Sequence, residues 1–421
     1  MKHFNLIFFI GFIVLISCSK KGGNDKSREN ENFQKNKVGS SYLTNQKTNE
    51  NSDDNTWSIL SQDKALYKEI IATRDNGFAF LKQEKEIGTL LCKYNSDGNL
   101  DFEKTITNSP NSKLLLAVTE KNEFVLILDD NIIIADSDGE ILKEKNLSST
   151  GILGDIWRVY SFGKEILILS EYTLLKLDFD FNLLKEIHFS DIYSRLTESN
   201  IGRKLEINSM AEDSEGNYYF TGGDNDILWY GKLDKNLNVL WEKSDLSTEF
   251  SKEKPEKGIG IICVNNNNIV ILSKFESVNR YVSAIIGVDS NGNDNFRGVI
   301  AGVCDKKPYD FLVKQTNYFY AITLNKTYNY RSDVRYYSSN NWEYAVLNRF
   351  ELTGKFLSSD IIEIDNKKIS FRGSSSSTGQ VFFICGQVQN LSPTNIRFIS
   401  HSSVTKFNAD GKTKNSIIEF Y

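Results

Sequence analysis

The sequence contains little histidine and little cysteine: 3 His and 5 Cys occur among its 421 residues. Beyond residue 17 the only histidines are His188 and His401, and no two cysteines are spaced as Cys-x-x-Cys. Zinc clusters and thiol redox sites need several imidazole or thiolate groups close together. The composition therefore argues against both kinds of site, and no metal or other cofactor is expected.

The common catalytic motifs are also absent. The chain has no Gly-x-Ser-x-Gly, His-Glu-x-x-His or Gly-x-x-x-x-Gly-Lys-Ser/Thr sequence, and it lacks the Ser-x-Asp-x-Gly-x-Thr-Trp box of sialidase-like propellers. Acidic stretches such as "DSDGE" at residues 136–140 place glycine fourth, whereas an EF-hand loop needs it sixth. The 55 acidic residues would allow a carboxylate pair for glycoside chemistry, but the sequence does not locate one.

The charge is close to balanced, with a formal net charge of −5 at pH 7. Lysine and arginine are interspersed with aspartate and glutamate and form no basic stripe. Because nucleic-acid binding needs a concentrated positive surface, nucleic acid is not expected as a partner.

The N-terminus has the pattern of a lipoprotein signal peptide. Lys2 and His3 precede an apolar run at residues 6–16, which is shorter than the roughly 20 residues of a membrane-spanning helix and suits a secretory segment. The run ends in "LISC", which resembles the lipobox of bacterial lipoproteins. The resemblance implies that residues 1–17 are removed and that Cys18 is acylated and anchors the chain to a lipid bilayer.

The expected location is the envelope of a Gram-negative bacterium. In lipoproteins, a serine after the acylated cysteine, here Ser19, is compatible with sorting to the outer membrane, and the Asn- and Lys-rich composition resembles that of the Bacteroidetes. Lys20 and Lys21 depart from the acidic residues that often mark surface display in that group, so the periplasmic and the surface side stay open. Residues 18–55 are polar and are expected to form a disordered tether.

Seven copies of an Asp/Asn-rich turn recur through the rest of the chain, residues 56–421, at spacings of 41 to 62 residues. The position usually held by glycine is occupied in the seven copies by Gly98, Gly139, Phe181, Leu237, Gly292, Gly354 and Gly411. Glycine here supplies the positive φ of a hairpin turn. We expect Phe181 and Leu237 to require a different turn geometry.

Each copy lies within a unit of about four short apolar, alternating runs, which predict four antiparallel β-strands. Repeated radially, such units form a β-propeller. The expected fold is therefore all-β: a single propeller, most simply with seven four-stranded blades. Residues 57–60 are a further candidate strand, which leaves the exact blade count open. The best helix candidate is short, at residues 191–196.

The closest match to a known repeat is "LDKNLNVLWEK" at residues 233–243. It resembles the propeller repeats of Bacteroidetes lipoproteins and, with the Asp-to-Trp distance one residue shorter, the tryptophan-docking motif of YVTN-like and quinoprotein propellers. The resemblance implies the fold but no activity. Cys92, Cys263, Cys304 and Cys385 lie mostly in apolar runs and are expected as buried thiols, with one disulfide, in any of the pairings of the four, as the alternative.

Two long insertions separate the second and third predicted strands of the sixth and seventh units, at residues 325–344 and 387–403. Aromatic and arginine side chains are enriched where proteins bind partners. The predicted binding residues are Tyr336, Tyr337, Trp342, Arg331, Arg335 and Arg397. The alternative is a long hairpin whose aromatic residues pair across its strands.

The expected function is a non-catalytic binding or scaffold module for a protein or glycan partner at the cell envelope. The alternative is an enzyme on the same fold, either a polysaccharide-acting lyase or hydrolase or a quinoprotein-like oxidoreductase. A purely structural spacer is a third hypothesis, but it does not explain the two insertions.

Overall fold

The structure is a computed structural model of the full chain. The residues it describes are 44–46, 57–60, 66–84, 87–108, 113–150, 155–193, 205–224, 227–244, 255–265, 268–277, 280–300, 312–314, 317–325, 344–363, 369–375, 381–387, 389–392, 395–397 and 403–407. The predicted signal peptide at residues 1–17, Cys18 and all of the predicted tether at residues 18–55 except residues 44–46 lie outside these ranges.

The described residues are predominantly β-strand, as expected. The strands in chain order are β1 (Thr44–Gln46), β2 (Trp57–Leu60), β3 (Leu66–Ala72), β4 (Phe78–Glu84), β5 (Gly88–Tyr94), β6 (Leu100–Thr107), β7 (Leu114–Val118), β8 (Phe124–Leu128), β9 (Asn131–Ala135), β10 (Ile141–Asn146), β11 (Ile156–Phe162), β12 (Glu165–Ser170), β13 (Thr173–Asp178), β14 (Leu183–His188), β15 (Leu205–Glu212), β16 (Tyr218–Asp224), β17 (Ile227–Leu233), β18 (Val239–Ser244), β19 (Pro255–Asn265), β20 (Asn268–Ser277), β21 (Arg280–Asp289), β22 (Asp294–Ile300), β23 (Leu312–Lys314), β24 (Tyr318–Asn325), β25 (Tyr344–Glu351), β26 (Phe356–Glu363), β27 (Ile369–Ser375), β28 (Val381–Gln387), β29 (Gln389–Ser392), β30 (Asn395–Arg397) and β31 (Ser403–Phe407).

Helix is confined to two single turns in the described part of the chain. A 3₁₀ turn spans Leu147–Thr150, and the α-helix α1 spans Phe189–Ile192. The predicted helix at residues 191–196 overlaps the end of α1, and residues 194–196 lie outside the described residues. Phe189 and Ile192 are buried in the core between two sheets, which explains why this turn is helical in an otherwise extended chain.

Six four-stranded antiparallel sheets follow one another along the chain, and each is a simple meander. We call them sheets 1 to 6; they comprise β3–β6, β7–β10, β11–β14, β15–β18, β19–β22 and β23–β26. A further sheet, sheet 7, has the order β1-β2-β31-β28-β27 and so joins the two ends of the folded region. Strands β29 and β30 form a separate hairpin inside the insertion of the seventh unit.

The central strands of each meander are buried on both faces, as the continuous apolar run "FVLIL" in β8 illustrates. Fourth strands such as β10 are largely exposed. One hydrophobic core fills each of four consecutive spaces between neighbouring sheets, from sheets 1 and 2 to sheets 4 and 5. Each sheet therefore buries its two faces against the sheets on either side.

The sheets are arranged in a closed ring, which is the arrangement of a β-propeller. The first strands of successive sheets contact one another (β3 with β7, β7 with β11, β15 with β19, β19 with β23, β23 with β27), and β27 contacts β3 again. Sheets 3 and 4 are joined through a shared core and by the backbone N–H of Met210, which donates to the Tyr160 hydroxyl at 3.1 Å.

The N-terminal strand β2 completes sheet 7 by pairing antiparallel with β31, with Trp57 opposite Lys406 and Leu60 opposite Ser403. Residues 57–60, the candidate strand that left the blade count open, therefore form a strand of sheet 7. This strand takes the fourth place in sheet 7, and β1 lies outside it as a fifth strand.

The turn between the third and fourth strands has the same geometry in sheets 1 to 6. In each turn the first residue's carbonyl accepts the N–H of the residue three positions later, at 2.9–3.1 Å, as in Gly98 to Asn95. Five of these first residues are Asp or Asn, and their side-chain oxygen accepts two further backbone N–H groups (Asn95, Asp136, Asp178, Asp234 and Asp289). The Asx side chain thus satisfies the turn's backbone donors.

The prediction that Phe181 and Leu237 require a different turn geometry is wrong. Both residues adopt the left-handed conformation, at φ 60° and 61°, in the same hydrogen-bonded turn in which Gly139 lies at φ 81°. A left-handed non-glycine residue costs about 1 kcal/mol. Both side chains are buried in the cores between sheets, and this burial offsets the cost.

Phe181 and Leu237 each fill a space between two neighbouring sheets. At other turns a side chain from the preceding sheet fills the corresponding space. At three turn glycines the fourth strand of the preceding sheet supplies an aromatic side chain. A Cβ on Gly139 would lie 2.6 Å from the Phe102 ring, and one on Gly354 would lie 2.4 Å from the Phe296 ring. Trp241 lies against Gly292 in the same way.

Where the turn residue is large, lysine takes the aromatic position. Lys143 lies in the sheet before that of Phe181, and Lys185 lies in the sheet before that of Leu237. In the strand register, both lysines have the same position as Phe102 and Trp241 in their own sheets. Lys143 donates to the Phe179 carbonyl, and Lys185 donates to the Asn238 amide oxygen. In these five spaces one large side chain therefore fills the gap, and it comes from one sheet or from the next.

Because one side chain from either sheet fills the space between sheets 2 and 3, a substitution in one sheet should restore stability that is lost by a substitution in the other. Phe181→Gly should lower the free energy of unfolding by about 2–4 kcal/mol, because it empties a buried site. Adding Lys143→Phe should recover more than about 1 kcal/mol by refilling the space from the other side. The measurement is urea unfolding monitored by circular dichroism.

Glu144→Phe in the Phe181→Gly background is the matched control, because the exposed Glu144 lies one position along the same strand. If Lys143→Phe recovers no more stability than Glu144→Phe, the two positions do not share one space.

Candidate functional site

Most of the predicted binding residues lie outside the described part of the chain: Tyr336, Tyr337, Trp342, Arg331 and Arg335. The predicted lipidation residue, Cys18, also lies outside it. Arg397 is the last residue of β30, where its backbone is paired with Gln389 in β29. The structure therefore places the backbone of one predicted binding residue and does not test contacts among the six.

The strands that flank the two insertions are described. The first insertion leaves β24 at Asn325 and returns at Tyr344 in β25, and these two residues are paired. The second insertion connects β28 to β31, which are also neighbours in one sheet. Both insertions therefore connect the second and third strands of their sheets, and because β23 contacts β27 the two sheets are adjacent.

The opposite end of the ring carries the first-to-second and third-to-fourth strand turns, and we call it the turn face. It contains ionic clusters with buried lysines near the ends of third strands. Lys93 lies 2.7 Å from Asp75 and 3.3 Å from Asp101, and Lys232 lies 3.3 Å from Asp213.

A third cluster on the turn face joins sheets 3 and 4. The Glu165 carboxylate of sheet 3 lies 2.6 Å from Lys176 Nζ and accepts a 2.8 Å hydrogen bond from the hydroxyl of Tyr218 in sheet 4. Burial, followed by this hydrogen bond to Glu165, raises the pKa of Tyr218 well above its ordinary range. In sheet 6 the corresponding position has a cation–π contact instead of an ion pair: Arg349 Cζ lies 3.8 Å from the centre of the Tyr318 ring.

The geometry of these clusters indicates a structural role, because each buried ammonium group is paired with a carboxylate from a turn or a neighbouring strand. Burial opposes the negative charge of Asp213, but hydrogen bonds from Asn217 and Lys232 outweigh it and lower its pKa. Sequence analysis missed the clusters. The pattern was present in the sequence, because four of the six turns have a basic residue two positions before their first residue: Lys93, Lys176, Lys232 and Arg349.

Glu212 differs from the other carboxylates of the turn face. It is half-buried at the end of β15, the first strand of sheet 4. Burial is the largest cause that raises its pKa from 4.5 to about 7, and repulsion from Glu120, Glu165 and Asp213 adds to the shift. A carboxyl group with this pKa exchanges a proton near neutral pH, the property required of a general acid or base.

The cysteine prediction is settled for two of four residues. Cys92 and Cys263 are free thiols, and burial raises the pKa of both, that of Cys263 to about 12. Both thiols are therefore protonated and unreactive at neutral pH. Cys304 and the side chain of Cys385 lie outside the described residues.

Among the described residues, no group of three or more His, Cys, Asp or Glu side chains has an arrangement that would hold a metal ion. No helix in the same part of the chain has the length and apolarity to cross a membrane.

Comparison with known proteins identifies no family. No protein-family model matches the sequence, and no curated protein matches it. Among solved structures, the β-propeller domain of Nup133 from Vanderwaltozyma polyspora is similar with a TM-score of 0.49 and 12% identity, over 85% of this chain and 99% of that chain.

A protein of unknown function from Bacteroides caccae is similar with a TM-score of 0.33 and 11% identity, over 45% of this chain and 77% of that chain. Both scores are below 0.5, so the propeller assignment rests on the sheet arrangement itself.

The position of Glu212 predicts a pH-dependent stability. Its pKa is higher in the folded protein, so the folded state binds more protons between pH 4.5 and about 7. Stability from this group therefore falls as pH rises through that window, and the full penalty is present above it. Glu212→Gln should raise the free energy of unfolding at pH 8 by about 1–2 kcal/mol, less than the whole shift implies because solvent screens the exposed half.

Denaturant unfolding at pH 5 and pH 8 tests this expectation. The matched control is Glu186→Gln, which removes an exposed carboxylate from β14. Equal effects of Glu212→Gln at the two pH values would contradict the prediction.

Proposed function

We propose that the chain is a lipid-anchored, seven-bladed β-propeller of the bacterial cell envelope that binds a protein or glycan partner without catalysis. The proposed anchor is the acylated Cys18, and the proposed location is the outer membrane of a Gram-negative bacterium, on its periplasmic or its surface side. The region from residue 56 onward would form the binding module, and residues 18–55 its tether.

The blade count is supported by the six four-stranded sheets and the five-stranded sheet 7 in the described part of the chain. Each sheet contacts the next, and the contact of β27 with β3 closes the series. Sheet 7 takes its fourth strand from the N-terminal β2, so residues 57–60 do not require an eighth blade.

The observation that carries the binding proposal is the position of the two insertions. Both connect second and third strands of adjacent sheets, so both emerge at the same face of the ring. A ring already closed by its sheets does not need either insertion for closure. Loops of this length that add nothing to the core are commonly functional.

The residue types in the insertions suggest the chemistry of the partner. Tyr336, Tyr337 and Trp342 provide flat aromatic surfaces that suit a sugar ring or an apolar protein side chain. Arg331, Arg335 and Arg397 provide planar donors for carboxylates, such as those of acidic glycans or acidic peptides.

Lipidation is tested directly by metabolic labelling with an alkyne fatty acid in a host that processes bacterial lipoproteins. The wild-type chain should incorporate the probe and fractionate with membranes. Cys18→Ser should lose both properties, because no other cysteine lies next to the apolar segment. Equal labelling of Cys18→Ser and wild type would refute the anchor.

Binding is tested by replacing residues 327–343 with a short Gly-Ser linker. The melting temperature should stay within a few degrees, because the flanking residues Asn325 and Tyr344 are already paired. Partner capture, measured on a glycan array and by cross-linking in cell envelopes, should be abolished. Unfolding of this variant would show instead that the insertion is part of the core.

A substitution series makes the binding test sharper. The combined variant Tyr336→Ala, Tyr337→Ala and Trp342→Ala should lose capture, whereas Tyr172→Ala should retain it. Tyr172 is a matched control because it is exposed in the second-to-third strand turn of sheet 3, at the same face but in a distant sheet. Undiminished capture by the combined variant would refute the site.

A further inference from the structure

The outer edge of β31 is occupied by a strand that is remote in sequence. In sheets 1 to 6 the fourth strand follows the third directly after the turn, as β26 follows β25. In sheet 7 the strand beside β31 is the N-terminal β2, with four residue pairs from Trp57–Lys406 to Leu60–Ser403.

The chain nevertheless encodes its own fourth strand for sheet 7. The sequence "FNADGKTKNSIIEF" at residues 407–420 matches "FELTGKFLSSDIIE" at residues 350–363, with the same Phe, the same Gly-Lys pair and, one residue earlier, the same Ile-Ile-Glu. In sheet 6 this sequence forms the turn and strand β26, which pairs with β25 through Ile361 and Ile362. The C-terminal segment thus has the sequence of a strand whose place is already taken.

One edge of β31 pairs with one strand at a time, because each backbone N–H and C=O on that edge has a single partner in an antiparallel ladder. We propose that β2 and the segment 412–420 are alternative fourth strands for sheet 7. In this proposal β2 is a displaceable strap: when it leaves the edge of β31, the C-terminal segment replaces it and the ring stays closed. The proposal does not depend on partner binding or on lipidation.

The register explains why β2 is the preferred strand. Trp57 lies opposite Lys406, as Trp241 lies opposite Lys232 and Phe102 opposite Lys93. The next turn in the ring, in sheet 1, has glycine at its left-handed position, Gly98.

For Gly139, Gly292 and Gly354, an aromatic residue occupies the register position of Trp57 in the preceding sheet. In the C-terminal segment the corresponding residue, four positions after Gly411, is Asn415. At this position β2 has an aromatic residue and the C-terminal segment a small polar one, so we expect β2 to be the preferred strand.

The consequence is a coupling between the tether and the ring. β1 and β2 are the described strands that follow the predicted tether, so force or binding on the tether acts first on the strap. With a replacement strand available, the strap can leave without exposing the edge of β31 as an unpaired, aggregation-prone strand.

Disulfide trapping of the full-length chain tests the proposal, in a background with its five native cysteines replaced. Ile59→Cys with Val404→Cys should form a disulfide, because these residues are opposite each other. Val404→Cys with Ile417→Cys should form little disulfide while β2 is intact. Adding Ile59→Pro, which prevents β2 from pairing, should make the 404–417 disulfide the major species in mass spectra of the digested protein. Absence of that disulfide after Ile59→Pro would refute the proposal.

Truncation gives an independent measurement of the same exchange. Removing residues 408–421 should leave the melting temperature nearly unchanged, and removing residues 1–61 should lower it moderately. Removing both segments should lower it by more than the sum of the two changes, because only then does β31 lack any outer partner. Additive changes would show that the two segments do not substitute for each other.

Discussion

The structure depends on one constraint: a sheet whose central strands are apolar on both faces must be covered on both sides. Strands such as β8, with every residue buried, have no solvent-compatible face. Stacking the sheets in a ring meets this requirement for all of them at once, and it makes the space between neighbours the unit of stability. The exchange of Phe102 over Gly139 for Phe181 beside Lys143 shows that each such space is filled as a unit, by either sheet.

The same constraint explains the buried charges of the turn face. Third-strand side chains near this face, such as Lys93 and Lys176, are enclosed by adjacent strands and sheets, so their ammonium groups need carboxylate partners. Asp75, Glu165 and Asp213 supply them from turns or strand ends, where the backbone is free to present a short acidic side chain. Glu212 is the exception, because burial and, after it, repulsion from neighbouring carboxylates raise its pKa towards neutrality.

Sequence reasoning anticipated the repeat, the four strands of the first six units and the positions of the insertions, and it identified Trp57–Leu60 as a further candidate strand. These features depend on local patterns: alternation, turn residues and spacing. It was wrong about Phe181 and Leu237, because the cost of their backbone conformation is local whereas the burial that offsets it comes from the neighbouring sheet. For the candidate site it placed the insertions between the correct strands, but it did not identify Glu212, whose pKa depends on carboxylates from three sheets.

By itself, the sequence determined that the folded region consists of short strands in repeated units, that these units lack the common metal and catalytic motifs, and that two of them carry aromatic insertions. Such properties follow from residue types within a few positions of one another. Only the tertiary structure decided that β2 pairs with β31 and that Lys176, Glu165 and Tyr218 meet across two sheets. Pairing of a strand edge and burial of a charge depend on which chain segment lies next in space, and no local pattern contains that information.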